Sequence, residues 1–188
     1  MTDLTEVQIS SEQLVDGVLL SAYRDQVRLP DGKTSVREWI DHPGASAIVP
    51  IFEDGRTLLV RQFRYPPHRT FLEVPAGKLD SPDEDPERVA ARELEEETGW
   101  MAGRFEPIGA AYPCIGYSNE RIRIFAAYDL EQGAQDLADG EFMEVVEMDL
   151  DEAIDRARSG DLQDMKTVTA LTYVAAHLDD ANDSTGTS

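Results

Sequence analysis

The chain has 188 residues, with 38 acidic against 17 basic side chains, a formal net charge of −21 and 41% hydrophobic residues. That length predicts one domain, or one domain with an added element. The apolar content is enough for a real core, while the acidity excludes a general nucleic-acid binder and disfavours an anionic membrane surface, both of which call for basic patches.

One cysteine, Cys114, rules out an internal disulfide and an oxidised secreted scaffold. The first 13 residues are polar and acidic, unlike a signal peptide. No apolar run approaches the roughly 18–20 residues of a membrane span, so a cytoplasmic protein is expected. Three lysines (Lys33, Lys78, Lys166) stand beside 14 arginines. Few lysines among many carboxylates suit a salt-rich cytoplasm, where self-repulsion is screened; an ordinary acidic bacterial protein is the alternative.

In chain order, residues 17–28 and 34–40 read as two strands joined by the turn Pro30-Asp31-Gly32, which predicts an N-terminal antiparallel hairpin. His42-Pro43-Gly44 interrupts the pattern. Strands are expected at 45–52 and 57–64, with a short extended piece at 71–74 before Pro75-Ala76-Gly77. A helix is predicted over 86–98: Asp85 is a good N-cap, Pro86 suits the first helical position and Gly99 supplies a left-handed stop. Strands follow near 105–112, 121–128 and 141–148, then helices over 150–158 and 166–178. The acidic tail after Asp179 is expected to be disordered. Mixed strands and helices imply an α/β or α+β sandwich, divided as 1–44 (N-terminal strands), 45–178 (the main domain) and 179–188 (tail).

Residues 77–100 carry the chemistry. On a helical wheel Glu97 lies about 40° from Glu93 and Glu96 about −60°, so three carboxylates share one arc while Leu94 and Ala91 face the other way. Like charges four residues apart destabilise a helix, and a divalent cation between them turns that repulsion into binding. Acidic runs also arise by chance in so acidic a chain; the ordered context is what singles this one out. A glycine loop precedes the helix, Glu84 lies eight residues before Arg92, and Arg92 sits four residues before Glu96, where it can hold one carboxylate.

This segment resembles the Nudix box, through Gly77, Glu84, Arg92, Glu93, Leu94, Glu96, Glu97, Gly99 and Trp100. One spacing departs: six residues rather than five separate Gly77 from Glu84, read as one extra loop residue with Glu84 in a structural role. Arg61-Gln62-Phe63-Arg64-Tyr65, Glu73-Val74-Pro75-Ala76-Gly77 and residues 113–120 look like the ADP-ribose pyrophosphatase subgroup, although Cys114-Ile115-Gly116 replaces its commoner Ser-Pro-Gly. The resemblance implies a Nudix-type αβα sandwich with a mixed β-sheet, a homodimer with exchanged N-terminal strands, and Mg²⁺-dependent hydrolysis (Mn²⁺ a possible substitute) of ADP-ribose or a related nucleoside diphosphate sugar. GDP-mannose, or a Nudix-fold sensor that does not cleave its nucleotide, is the alternative.

Carried over, Glu93 and Glu97 are the main metal ligands, with Glu96 assisting and the Ala76 carbonyl as a further ligand. Arg92 and Glu96 belong to the catalytic set. The loop glutamate that handles the attacking water falls at Glu141, with Glu120 and Glu144 as rivals. Arg37, Arg61, Arg64, Glu73 and Ser118 form the candidate substrate-binding set. Arginine favours bidentate phosphate contacts; Arg61 and Arg64, three apart on a strand, point to opposite faces, and Arg64 is favoured. Glu73 reads equally well as a structural carboxylate. His42, His68 and His177 lack metal-ligand spacing, and Cys114 lacks a catalytic partner.

Overall fold

The structure, a computed structural model, describes residues 2–137 and 140–185. Ala138 and Asp139, just before the candidate Glu141, lie outside them, as do 186–188 of the expected tail. The chain runs β1 (Val7–Asp16), β2 (Ser21–Arg28), β3 (Thr34–Asp41), β4 (Ala45–Pro50), β5 (Arg56–Arg64), β6 (Arg69–Glu73), β7 (Ala76–Lys78), α1 (Pro86–Thr98), β8 (Trp100–Ala111), β9 (Ile122–Gln132), β10 (Met143–Asp149), α2 (Leu150–Ser159) and α3 (Met165–Thr185).

The predicted hairpin is present as β2 and β3, but β1 joins it to make a three-stranded antiparallel sheet. Sequence reading missed β1 because Ser10-Ser11 dilutes its apolar alternation and two register shifts break its period. Residues 17–20, read as strand, instead form a tight turn in which the Gly17 N–H donates to the Leu20 carbonyl at 2.9 Å. The tail also differs: α3 continues to Thr185 rather than ending at Leu178. No glycine or proline follows until Gly186, so nothing in the sequence stops the helix earlier.

The main domain holds two further sheets, β10-β5-β6 and the mixed β7-β4-β9-β8, in which β4 and β9 run parallel. Every residue of β4 is buried, as expected for a strand covered on both faces. Ala47, Val49, Ile124 and Ala126 pack with Ala153, Ile154, Leu171 and Val174 of α2 and α3. Their neighbours Ile48, Phe125 and Ala127 pack with Ala90 and Leu94 of α1. The period-two alternation of β4 and β9 thus divides α1 from α2 and α3, giving the expected αβα sandwich. Residues 74–77 cross from β6 in one sheet to β7 in the other, beside α1.

Candidate active site

α1 starts and stops where its caps demand. Asp85 accepts the Glu87 N–H at 3.1 Å, and Gly99 takes φ 74°, sending its N–H to the Glu95 carbonyl. Burying Val89, Ala90 and Leu94 turns Glu93 and Glu97 toward the strand turn at 74–77. Glu97 is only 8% exposed, and its Oε2 accepts the Ala76 N–H at 3.0 Å. Burial pushes its carboxyl up to about 8; the Ala76 N–H opposes this, the charge of Glu93 adds to it, and Lys166 and Arg64 pull it back.

Glu93 lies over Gly77. A Cβ at that glycine would come within 1.9 Å of the Glu93 Cδ and 2.0 Å of Oε1, so the absence of a side chain there makes room for the carboxylate. Burial pushes Glu93 up too, against its Arg92 partner and with the charges of Glu96 and Glu141. Glu96 is the more exposed of the three, with Arg92 Nε 3.9 Å away.

Arg92 is spread wider than its spacing to Glu96 suggests. It donates to Glu84 Oε1 and to Glu93 Oε1, each at 3.1 Å. Glu84 Oε2 in turn accepts the Asp80 N–H at 2.7 Å. Glu84 therefore closes the loop before α1 while steadying Arg92, and the extra loop residue leaves that linkage intact.

Two candidate substrate residues separate as strand geometry requires. Arg61 pairs with Glu144, its register partner on β10. Arg64, on the other face, makes a two-pronged contact with Glu73: Nε to Oε1 at 2.8 Å and Nη2 to Oε2 at 2.7 Å. Lys166 Nζ also donates to Glu73 Oε2, at 2.9 Å. Glu73 is 2% exposed, with both oxygens engaged. Burial opposes its ionisation, but Arg64 and Lys166 outweigh that and hold the carboxyl below its ordinary value.

Of the three candidate loop glutamates, Glu141 adds its charge to the field at Glu93; it shares a cleft of about 550 Å³ with Arg61, Phe63, Thr70 and Glu144. Glu144 is occupied by Arg61. Glu120 sits beyond β8, its N–H bonded to Ser118 Oγ at 3.1 Å. Ser118 belongs to the loop that bridges to Ile40 of β3, and Arg37 on β3 pairs with Glu6, so neither is brought to α1 within this chain by the contacts it makes. His42 accepts the Gly44 N–H, His177 pairs with Glu106 and Cys114 contacts the Tyr117 hydroxyl, all consistent with structural roles.

Among the described residues no three carboxylates, imidazoles or thiolates converge as a ready-made metal cage. The donor set nonetheless fits a hard divalent cation. Glu97 is buried and Glu93 half-buried; both are pushed up by burial and by neighbouring carboxylates, and a cation would add counter-charge beyond the single contact that Arg92 makes to Glu93. Sequence reading missed Asp164, Lys166 and Thr167 at the start of α3; the only signal was an Asp at a helix N-cap.

A mixed-sheet αβα sandwich with a glutamate-bearing helix set against a glycine turn defines a class, and the comparisons agree with it. Residues 41–170 match the NUDIX domain, and residues 6–40 match the nucleoside diphosphate sugar hydrolase N-terminal domain. The chain belongs to the Nudix hydrolase family, whose members generally need divalent metal ions. It is 40% identical over 176 residues to the ADP-ribose pyrophosphatase of Bacillus subtilis (strain 168), covering 93% of this chain and 95% of that protein. It is 37% identical over 171 residues to the methanol dehydrogenase activator of Bacillus methanolicus, covering 90% and 92%. A solved structure described as an ADP compounds hydrolase superposes with a TM-score of 0.82 at 21% identity, over 96% of this chain and 98% of that one, which attests the fold. No helix among the described residues is long and apolar enough to cross a membrane.

Proposed function

We propose that the protein hydrolyses the pyrophosphate bond of ADP-ribose or a related nucleoside diphosphate sugar in the cytoplasm, giving a nucleoside monophosphate and a sugar phosphate. The observation that carries this reading is the placement of Glu93 over Gly77 and of the buried Glu97 on the Ala76 N–H, two carboxylates at one turn. The name of the Bacillus subtilis relative and the match of residues 6–40 supply the substrate class.

Glu93, Glu97 and the more exposed Glu96, with the Ala76 carbonyl, would hold Mg²⁺, which when bound offsets pyrophosphate charge and lowers the pKa of a water. Arg92 fixes Glu93 and the loop through Glu84. Glu141 takes the proton of the attacking water as the new O–P bond forms and the bridging P–O bond breaks. Arg64, docked on Glu73, presents its guanidinium to a phosphate.

The N-terminal sheet supports a dimer of exchanged strands. Among the described residues, and apart from the contacts of residues 40–42 with the loop at 117–119, the hydrogen bonds of β1, β2 and β3 stay within residues 2–44, and Val7, Ile9, Val15 and Val36 are exposed in the single chain. A second copy would cover them and bring Arg37 and Ser118 to the site. The test is a turnover screen of ADP-ribose, GDP-mannose and other nucleoside diphosphate sugars with Mg²⁺ or Mn²⁺, at low and high KCl. Cation-dependent release of a monophosphate from ADP-ribose is expected. No turnover of any of them, with nucleotide still bound, refutes the hydrolase reading in favour of a sensor.

A further inference from the structure

The start of α3 lies outside every motif in the sequence, yet it is bonded to the turn that carries the candidate site. Thr167 is fully buried. Its Oγ1 accepts the Val74 N–H at 2.9 Å and donates to Asp164 Oδ2 at 2.6 Å. Asp164 also accepts the Thr167 N–H at 3.0 Å, capping the helix. Val74 leads straight into Pro75, Ala76 and Gly77, whose backbone meets Glu97 and Glu93.

A second path runs through charge. Lys166, its side chain 14% exposed, donates to Asp164 Oδ2 at 3.0 Å and to Glu73 Oε2 at 2.9 Å. Glu73 holds Arg64 by both prongs. Asp164, Lys166, Glu73 and Arg64 thus form a row of alternating charge from helix to strand. It ends on Arg64, whose side chain is 44% exposed and whose Nη1 makes no hydrogen bond among the described residues. Without Lys166, Glu73 would neutralise Arg64 and Asp164 would add an uncompensated negative charge close to an anionic substrate.

We propose that Asp164, Lys166 and Thr167 are positioning residues for the hydrolase site. Thr167 fixes the strand end from which Ala76 and Gly77 receive the metal-binding glutamates, and Lys166, through Glu73, fixes the Arg64 guanidinium and leaves its charge available. This rests on the function proposed above, but it has its own readout in metal binding. Groups that orient ligands from behind typically change metal affinity or activity by about 10–100-fold.

The experiment measures Mn²⁺ binding to the full chain by electron paramagnetic resonance, ADP-ribose kinetics against Mg²⁺, and thermal melts. The variants are Thr167→Val, Thr167→Ser, Lys166→Arg and the charge-balanced pair Lys166→Met with Asp164→Asn. Thr167→Val is expected to weaken Mn²⁺ about tenfold, with Thr167→Ser restoring it. The balanced double variant is expected to raise KM about tenfold with little change in kcat, with Lys166→Arg restoring most of it. Folded variants with unchanged Mn²⁺ affinity and unchanged KM would overturn the proposal. So would a loss of kcat that merely follows the unfolded fraction. If the wild type turns over neither ADP-ribose nor any other nucleoside diphosphate sugar, the proposed function is wrong, and the Mn²⁺ measurement on Thr167→Val still decides this inference.

Discussion

Gly77→Ala is the most direct probe of the site, because it adds a single methyl group. The new Cβ would lie 1.9 Å from the Glu93 Cδ, so the carboxylate must retreat by at least about 1.5 Å to reach ordinary contact. The backbone at Gly77 does not sit in the left-handed region, so alanine is tolerated there. Alanine restricts the unfolded chain and returns roughly 0.4–1 kcal/mol. The displaced Glu93 gives up a half-exposed pair with Arg92 of about the same size. Stability should therefore stay within about 1 kcal/mol, a shift of roughly 2–4 °C in Tm for a domain of this size. Activity has no such offset. A misplacement of about 1 Å at reacting groups costs of the order of 100-fold, about 2.7 kcal/mol in kcat/KM. The assay is a monophosphate-release measurement with a Mg²⁺ titration, run beside a melt. Glu93→Ala should be equally inactive, and combining it with Gly77→Ala should add nothing, since the clash is then gone. Wild-type-like turnover by Gly77→Ala, or a double variant far worse than Glu93→Ala, would refute the reasoning.

Glu141→Gln should lower kcat by about 10²–10⁴-fold with Mn²⁺ affinity retained, and if Glu120→Gln is the crippled variant instead, the base lies on the other loop. Glu73 predicts an acid-sensitive fold. Its folded-state carboxyl is held below the ordinary 4.5, so its ion pairs contribute fully above that pH and are lost as the pH falls through the lower value. At pH 7 Glu73→Gln should cost about 2 kcal/mol, less than a fully buried pair because Arg64 is partly exposed, and melts in acid should show the gap to wild type closing. Removing residues 1–33 should convert a dimer to a monomer in sedimentation; an unchanged profile counts against strand exchange. The charge of −21 predicts a thermal midpoint that rises from dilute buffer to molar KCl, and no rise would sink the salt-rich origin.

α1 was legible because its signals are local. Asp85-Pro86 begins it, Gly99 ends it, and three glutamates fall on one arc between them. The opposite facing of Arg61 and Arg64 was legible for the same reason, since a strand alternates by construction. β7 was not: it is three residues long and follows a proline, so its existence depends on β4 offering an edge. Nor was the engagement of Glu73. One of its partners is nine residues away and the other 93, and no pattern in the chain announces the second. Thr167 is hidden in the same way, its Val74 partner again 93 residues distant. Local motifs gave the groups proposed for chemistry, and tertiary contacts gave the groups that hold them.

The same division bears on how so acidic a chain takes an anionic substrate. At physiological ionic strength the screening length is about 8 Å, so most of the 38 carboxylates are not felt at the site. What counts is the near field, where each cation is pinned by a carboxylate: Arg92 by Glu84 and Glu93, Arg64 and Lys166 by Glu73. Pinning costs net charge but fixes direction, and direction is what a bidentate phosphate contact needs. The nearest negative charges are also restrained. Burial pushes Glu97 up to about 8, so a proton would compete with the proposed cation for the same oxygens. The cation proposed for Glu93, Glu96 and Glu97 would offset the negative charge that the more exposed Glu96 otherwise presents to an arriving pyrophosphate.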